Sequence, residues 1–154
     1  MEWIDEVQGR IRRKNQILFA KDSEFLQDLI YLIQEQNHRT MVLWALEFAD
    51  EAVQKLTVRH PGEKRFEEAV TATKDWASGK VKMPFAKRAI LQVHAVAKEI
   101  NSLEDIALCH AIGQACGVVH ANGHAIGFPV YDLTAIIRRY GVNECKEPVE
   151  KRKE

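Results

Sequence analysis

Residues Cys109 to Gly127 read CHAIGQACGVVHANGHAIG and hold three of the chain's six histidines and two of its three cysteines, set among glycines and alanines. Imidazole and thiolate are the side chains that bind zinc, and a thiolate beside an imidazole can act as a nucleophile, so the stretch raises both chemistries. On one continuous helix at about 100° per residue, His110, Gly113, Gly117, His120, His124 and Gly127 share a stripe about 100° wide, with Cys109 and Cys116 at its edge.

A metal site built here would use Cys116, His120 and His124, a C-x3-H-x3-H series whose members stand one helical turn apart, with His94 as the donor from another helix. Three ligands spread over two turns of one straight helix do not readily surround a zinc ion. The chain has no HExxH and no CxxC, and Glu-x-x-His occurs only as Glu35 to His38, in a polar connection. A Cys–His nucleophile is weaker still, because adjacency in sequence is not catalytic geometry and no oxyanion device accompanies it. The expectation is therefore no enzyme, no metal and no cofactor, with histidines hydrogen-bonded across helices and cysteines as small apolar filling. The alternative is a metal- or small-ligand-binding protein with an inter-helix histidine pocket.

The same stretch has a purely structural reading. Ala107, Ala111, Ala115, Val118, Ala121 and Ala125 occupy the faces beside the stripe, so neighbouring helices can approach closely on several sides. Glycine inside a helix costs about 1 kcal/mol relative to alanine. Gly113, Gly117 and Gly123 thus imply close contact with a partner helix or a ligand.

The elements that must position these residues all follow helical periodicity, and no segment alternates as a half-buried strand would. The expected fold is all-α, a compact antiparallel bundle or short array of six to seven helices. The first starts at Trp3, Ile4, Val7 and Ile11 and weakens near Ala20; the second is capped by Asp22 or Ser23 and runs to Ile33. After the polar Gln34 to Asn37 comes RTMVLWALEFADEAVQKL, and after Pro61 and Gly62 comes EKRFEEAVTATKDWASG, closed by Gly79 in a left-handed cap. Pro84 suits the first turn of PFAKRAILQVHAVAKEI. Ser102 with Asp105 resembles a capping box for a sixth helix that carries the whole opening stretch. Pro129 bounds it, and VYDLTAIIRRY forms the last helix, stopped by Gly141. Residues 1–141 read as one helical domain and 142–154 as a charged, frayed tail.

Composition bounds the partners. The chain has 154 residues, 46% hydrophobic and 29% charged, with 22 basic and 22 acidic side chains. It lacks the basic excess that holds nucleic acid, and RIRRK, Arg10 to Lys14, reads as a solvated helix face. No run approaches the roughly 18 apolar residues that span a bilayer. An odd cysteine count and an N-terminus without the features of an export signal point to free thiols in a cytoplasm.

Elsewhere, Trp44 and Trp76 lie in helical patterns that favour the core, with Trp76 kept as a binding candidate. Arg65 stands in a first helical turn, against the helix dipole, which implies an acidic neighbour or partner. Lys87 and Arg88 read as a solvated face. The binding candidates are His94, His110, His120, His124, Arg65 and Trp76.

From Trp44 to Tyr131 the order of features resembles the bacterial family of putative immunity proteins associated with polymorphic toxin systems. The matching pieces are WALEFADEAV, Pro61 with Arg65, Ala69 to Gly79 with its DWASG, VHAVAKEI around His94 and, most specifically, AIGQACGVVHANGHAIG. Family members are mostly alanine-rich after this motif, whereas this chain has the bulkier VYDLTAII. The first 40 or so residues lie outside the resemblance. What it implies is an all-helical protein that binds a cognate protein toxin and blocks it. Homo-oligomerisation through the glycine-rich helix stays open.

Overall fold

The computed structural model describes residues 3–120 and 124–154, the His124 side chain excepted. Among the described residues there are eight α-helices and no strand: α1 (Trp3–Arg12), α2 (Gln27–Glu35), α3 (His38–Arg59), α4 (Arg65–Ala77), α5 (Met83–Ala97), α6 (Leu103–Gly117), α7 (His124–Tyr140) and α8 (Lys146–Lys153). A single 3₁₀ turn, Glu24–Leu26, leads into α2.

Local chemistry sets several boundaries. The Asn37 side chain accepts from Thr40 N at 2.8 Å and starts α3, and Ser102 Oγ accepts from Asp105 N at 3.2 Å to start α6. Pro84 sits in the first turn of α5. Gly79 and Gly141 close α4 and α7 with φ of +78° and +80°, values a side chain would strain. Ser23, read as a cap, makes no side-chain capping bond; its hydroxyl donates to Glu6 Oε1 at 2.6 Å and ties α1 to the turn before α2.

Helix α6 lies at the centre, packed against α3, α4, α5 and α7. Nine of its 15 residues are buried, and six of those are alanine, glycine or cysteine: Ala107, Cys109, Ala111, Gly113, Ala115 and Cys116. The main core surrounds it with Met41, Leu56, Phe66, Val70, Val93 and Phe128. A second cluster joins Val7, Leu18, Phe19 and Leu26 to Val130, Leu133 and Ile137 of α7 and Val149 of α8. Helix α7 thus has one face in each cluster.

Three expectations are corrected. The opening stretch is not one helix: α6 ends at Gly117, a turn through Val118–His120 is closed by His120 N to Gly117 O at 3.0 Å, and α7 begins at His124. Pro129 does not bound α7 but lies inside it. It forfeits one backbone bond, at a cost of about 3 kcal/mol in an ordinary helix interior. Burial of Phe128, Val130, Leu133 and Ile137 along the same helix outweighs that loss. The count is eight helices, not six or seven, because the charged segment after Gly141 folds as α8.

No amphipathic pattern announces α8. Tertiary contacts hold it: Cys145 and Val149 are fully buried, and Arg152 reaches Asp132 Oδ2 of α7 at 2.7 Å and Glu51 Oε1 of α3 at 3.0 Å, with its guanidinium 4.8 Å from the Phe48 ring centre. Asp132 is 5% exposed, so its charge depends on this partner. Arg152→Ala should lower the unfolding free energy by about 3 kcal/mol, since it strands a buried carboxylate. Urea denaturation at pH 7 checks this, with Asp132→Asn/Arg152→Ala expected to recover part of the loss.

Candidate functional site

The candidate residues gather around a groove of about 270 Å³ between the C-terminal end of α4, one face of α5 and the C-terminal half of α6. Trp76 supplies one wall, Met83, Lys87, Ile90 and Leu91 the other, and Gly113 and Gly117 the base, with His94 and His120 among the lining side chains. Positions Met83, Lys87, Ile90, Leu91 and His94 follow helical spacing along one face of α5.

Glycine is required at the base. A Cβ at Gly113 would overlap the imidazole of His94, which lies directly over that position. A Cβ at Gly127 would likewise overlap the Gln114 amide, so the α6–α7 pair also closes on an absent side chain. Close contact explains why these helices tolerate glycine.

His94 is held from behind. Its Nδ1 lies 2.7 Å from Nδ1 of His110, and the rings stack with centres 4.9 Å apart. His110 Nε2 lies 3.0 Å from Gln16 Nε2, in the connection between α1 and the 3₁₀ turn, and Tyr131 covers the His110 ring at 5.2 Å. An amide nitrogen can only donate, which makes His110 Nε2 the acceptor. Of the two facing Nδ1 atoms of His94 and His110, one donates and the other accepts, and the His94 Nε2 lies over Gly113. Burial, reinforced by the neighbouring His94, holds the His110 pKa down to about 4.

His120 sits in the turn after α6, exposed, with its ring stacked on Trp76 at 6.2 Å. Trp76 is half-buried at the groove, whereas Trp44 packs edge-on against Phe48 and Phe128. The His124 side chain and Gly123 lie outside the described residues. Arg65 is elsewhere, about 16 Å along α4 from Trp76 at 1.5 Å per residue. Its acidic partners are Glu63, at 3.0 Å from Nε, and Glu99, at 2.7 Å from Nη2, so it ties the start of α4 to the segment after α5.

Cys116 is fully buried, with Sγ 4.0 Å from Ala69 O of α4, whereas His120 is exposed. Among the described residues no three histidine, cysteine or carboxylate side chains converge as a metal site. Burial pushes the Cys109 thiol up to about 12 and Cys116 to about 11, so both stay protonated near neutral pH.

The sequence reading left two parts of this arrangement unassigned. Gln16 sits in an irregular connection with no pattern to mark it. Met83, Lys87 and Leu91 recur at helical spacing, yet an exposed lysine on a helix ordinarily means only solvent.

A second polar cluster braces the opposite end of α6. Asp105, 5% exposed, accepts from Arg59 Nη1 at 2.5 Å and pairs with His60 Nε2 at 2.8 Å, and Arg59 also reaches Glu104. Both carboxylates stand in the first turn of α6, where the helix dipole favours them.

With this geometry in view, comparison with known proteins gives one result. The chain belongs to the family described as Imm-5 like putative immunity protein, whose model matches residues 31–154. The match is wider than the Trp44–Tyr131 resemblance and includes α8, while α1 and the 3₁₀ turn precede it. No curated protein and no solved structure matches the chain. Among the described residues no helix is long and apolar enough to cross a membrane.

Two predictions follow from the geometry. Gly113→Ala must displace the His94 ring and should cost about 1–3 kcal/mol, measurable by urea denaturation. His110 takes up a proton more readily unfolded, near its ordinary pKa of about 6.5, than folded, near 4. Its contribution to stability is therefore full above about pH 6.5 and is lost as pH falls toward 4. Unfolding free energy should drop over that window in the native chain and drop less steeply in His110→Gln.

Proposed function

We propose that this chain is an immunity protein that binds a cognate bacterial protein toxin in the cytoplasm and blocks it, with no chemistry of its own. The observation that carries the reading is membership of the immunity-protein family over 31–154. High thiol pKa values and the structural use of Arg59, Arg65 and Arg152 in internal ion pairs agree with a binding role rather than a catalytic one. Binding of this kind needs a few well-packed anchors on a complementary surface.

The region offered for binding is the groove lined by Trp76, His94 and His120, with His110 acting behind His94. Arg65 is assigned to bracing. The test is co-expression with the toxin domain encoded beside this chain's gene: growth should be restored by the native chain, and purified toxin and chain should form a stable complex. Continued toxicity with soluble, folded chain present would reject the reading.

The histidine-lined groove also favours a second reading, a small-ligand or metal pocket that uses His94 and His120. Elemental analysis of untagged protein purified without chelators separates the two. The immunity reading expects substoichiometric metal, and one zinc or iron per chain would put the pocket reading first.

A further inference from the structure

Charge is distributed unevenly around the groove. The chain is neutral overall, yet residues 79–98 contain Lys80, Lys82, Lys87, Arg88 and Lys98 and no acidic residue. All five are exposed, and none forms an ion pair among the described residues, whereas Lys74, Arg65 and Arg152 each hold a carboxylate. Between these cations the same helix exposes apolar side chains: Met83 is 40% and Leu91 55% exposed. At helical spacing Met83, Lys87, Leu91 and Lys98 share one stripe, and its apolar members open into the groove. Among the described residues no carboxylate lines that groove.

An exposed leucine and methionine beside an aromatic-walled cleft, with Lys87 in its lining and further cations on the same segment, is the composition of an interface with its partner removed. Interfaces bury an apolar anchor at the centre and place complementary charge at the rim. At about 270 Å³ the groove is slightly smaller than the pockets of roughly 300–1,000 Å³ that enclose drug-sized ligands, and it suits a single large side chain. Resting on the immunity reading, we infer that the exposed stripe of α5 with its groove is the toxin-docking surface. The partner it fits is an acidic protein surface that inserts one apolar or aromatic side chain between Trp76 and Leu91.

A protein is favoured over nucleic acid because the cations flank a concave apolar cleft rather than form a continuous track for phosphates. It is favoured over a lipid surface because the apolar side chains wall a recess rather than protrude as a convex face. The acidic Glu67 and Glu68 of α4, exposed on the first turn of that helix, lie outside this surface.

The experiment uses the full chain and the toxin domain encoded beside its gene. Affinity is measured by calorimetry at about 50 and 300 mM NaCl for the native chain, Lys87→Glu, Leu91→Asp and, as a control in a separate exposed groove, Leu43→Asp. Thermal melts establish that each variant is folded; Lys87→Glu, which alters only an exposed side chain, keeps the test valid if Leu91→Asp unfolds. The expected result is a loss of at least about 30-fold for Lys87→Glu and for Leu91→Asp, little change for Leu43→Asp, and weaker native binding at high salt. Native-like affinity in both α5 variants overturns the surface while leaving the immunity reading intact. Failure of the native chain to bind or protect overturns the immunity reading and the surface with it. Tighter binding of the native chain to duplex DNA or to phosphatidylserine vesicles than to the toxin, lost in Lys87→Glu, also overturns it.

Discussion

The structure depends on how closely helices can approach α6. An inter-helix distance is set by the side chains at the contact, and α6 presents Ala107, Ala111, Gly113 and Ala115 where most helices present leucine or phenylalanine. Four helices consequently touch it, and the larger apolar groups come from those neighbours: Leu56, Phe66, Val93 and Phe128. The glycines at 113 and 127 complete the constraint, because His94 and Gln114 occupy the space their Cβ atoms would take. A helix buried on so many sides has no single apolar face, which is why hydrophobic periodicity identifies it as helical without showing which way it points.

That constraint shapes the candidate groove. With the base of the groove formed by Gly113 and Gly117, the His94 imidazole lies down on α6 instead of standing away from it, and its orientation is fixed by the hydrogen-bond chain through His110 to Gln16. Histidines that looked like ligands are thereby divided. His94 and His110 are a stacked pair in which burial keeps His110 neutral, and His120 is a surface ring on Trp76.

The all-helical class, the caps at Ser102, Gly79 and Gly141, and the crowded helix were legible because each rests on local chemistry: a side-chain acceptor, a left-handed φ or a run of small residues. The break after Gly117 was not, because its glycines and alanines fit a helix as well as a turn and only the packing of α7 back onto α6 ends the helix there. Pro129 misled for the opposite reason, since a local rule was overruled by burial on both sides of α7. Helix α8 was illegible because a highly charged octapeptide becomes stable only where a buried Asp132 awaits its arginine. Of the candidate residues, His94, His120 and Trp76 were singled out by residue type, and all three line one groove. The assignment of Arg65 to bracing required the positions of Glu63 and Glu99.

Residues before the family-matched region are not an appendage. Val7, Leu18, Phe19 and Leu26 form much of the second cluster, and Leu18 N donates to the buried Thr134 Oγ1 at 3.0 Å, so this segment covers the face of α7 that points away from α6. Removing it would expose Val130, Leu133 and Ile137 together, an apolar patch that a protein in water must cover by some other means. The same segment supplies Gln16 to His110 and through it orients His94. Among the described residues the N-terminal segment reaches the groove through this hydrogen-bond chain, while its packing acts on the second cluster. Stability of the α7 face and geometry of the groove are in this way separable properties of one segment.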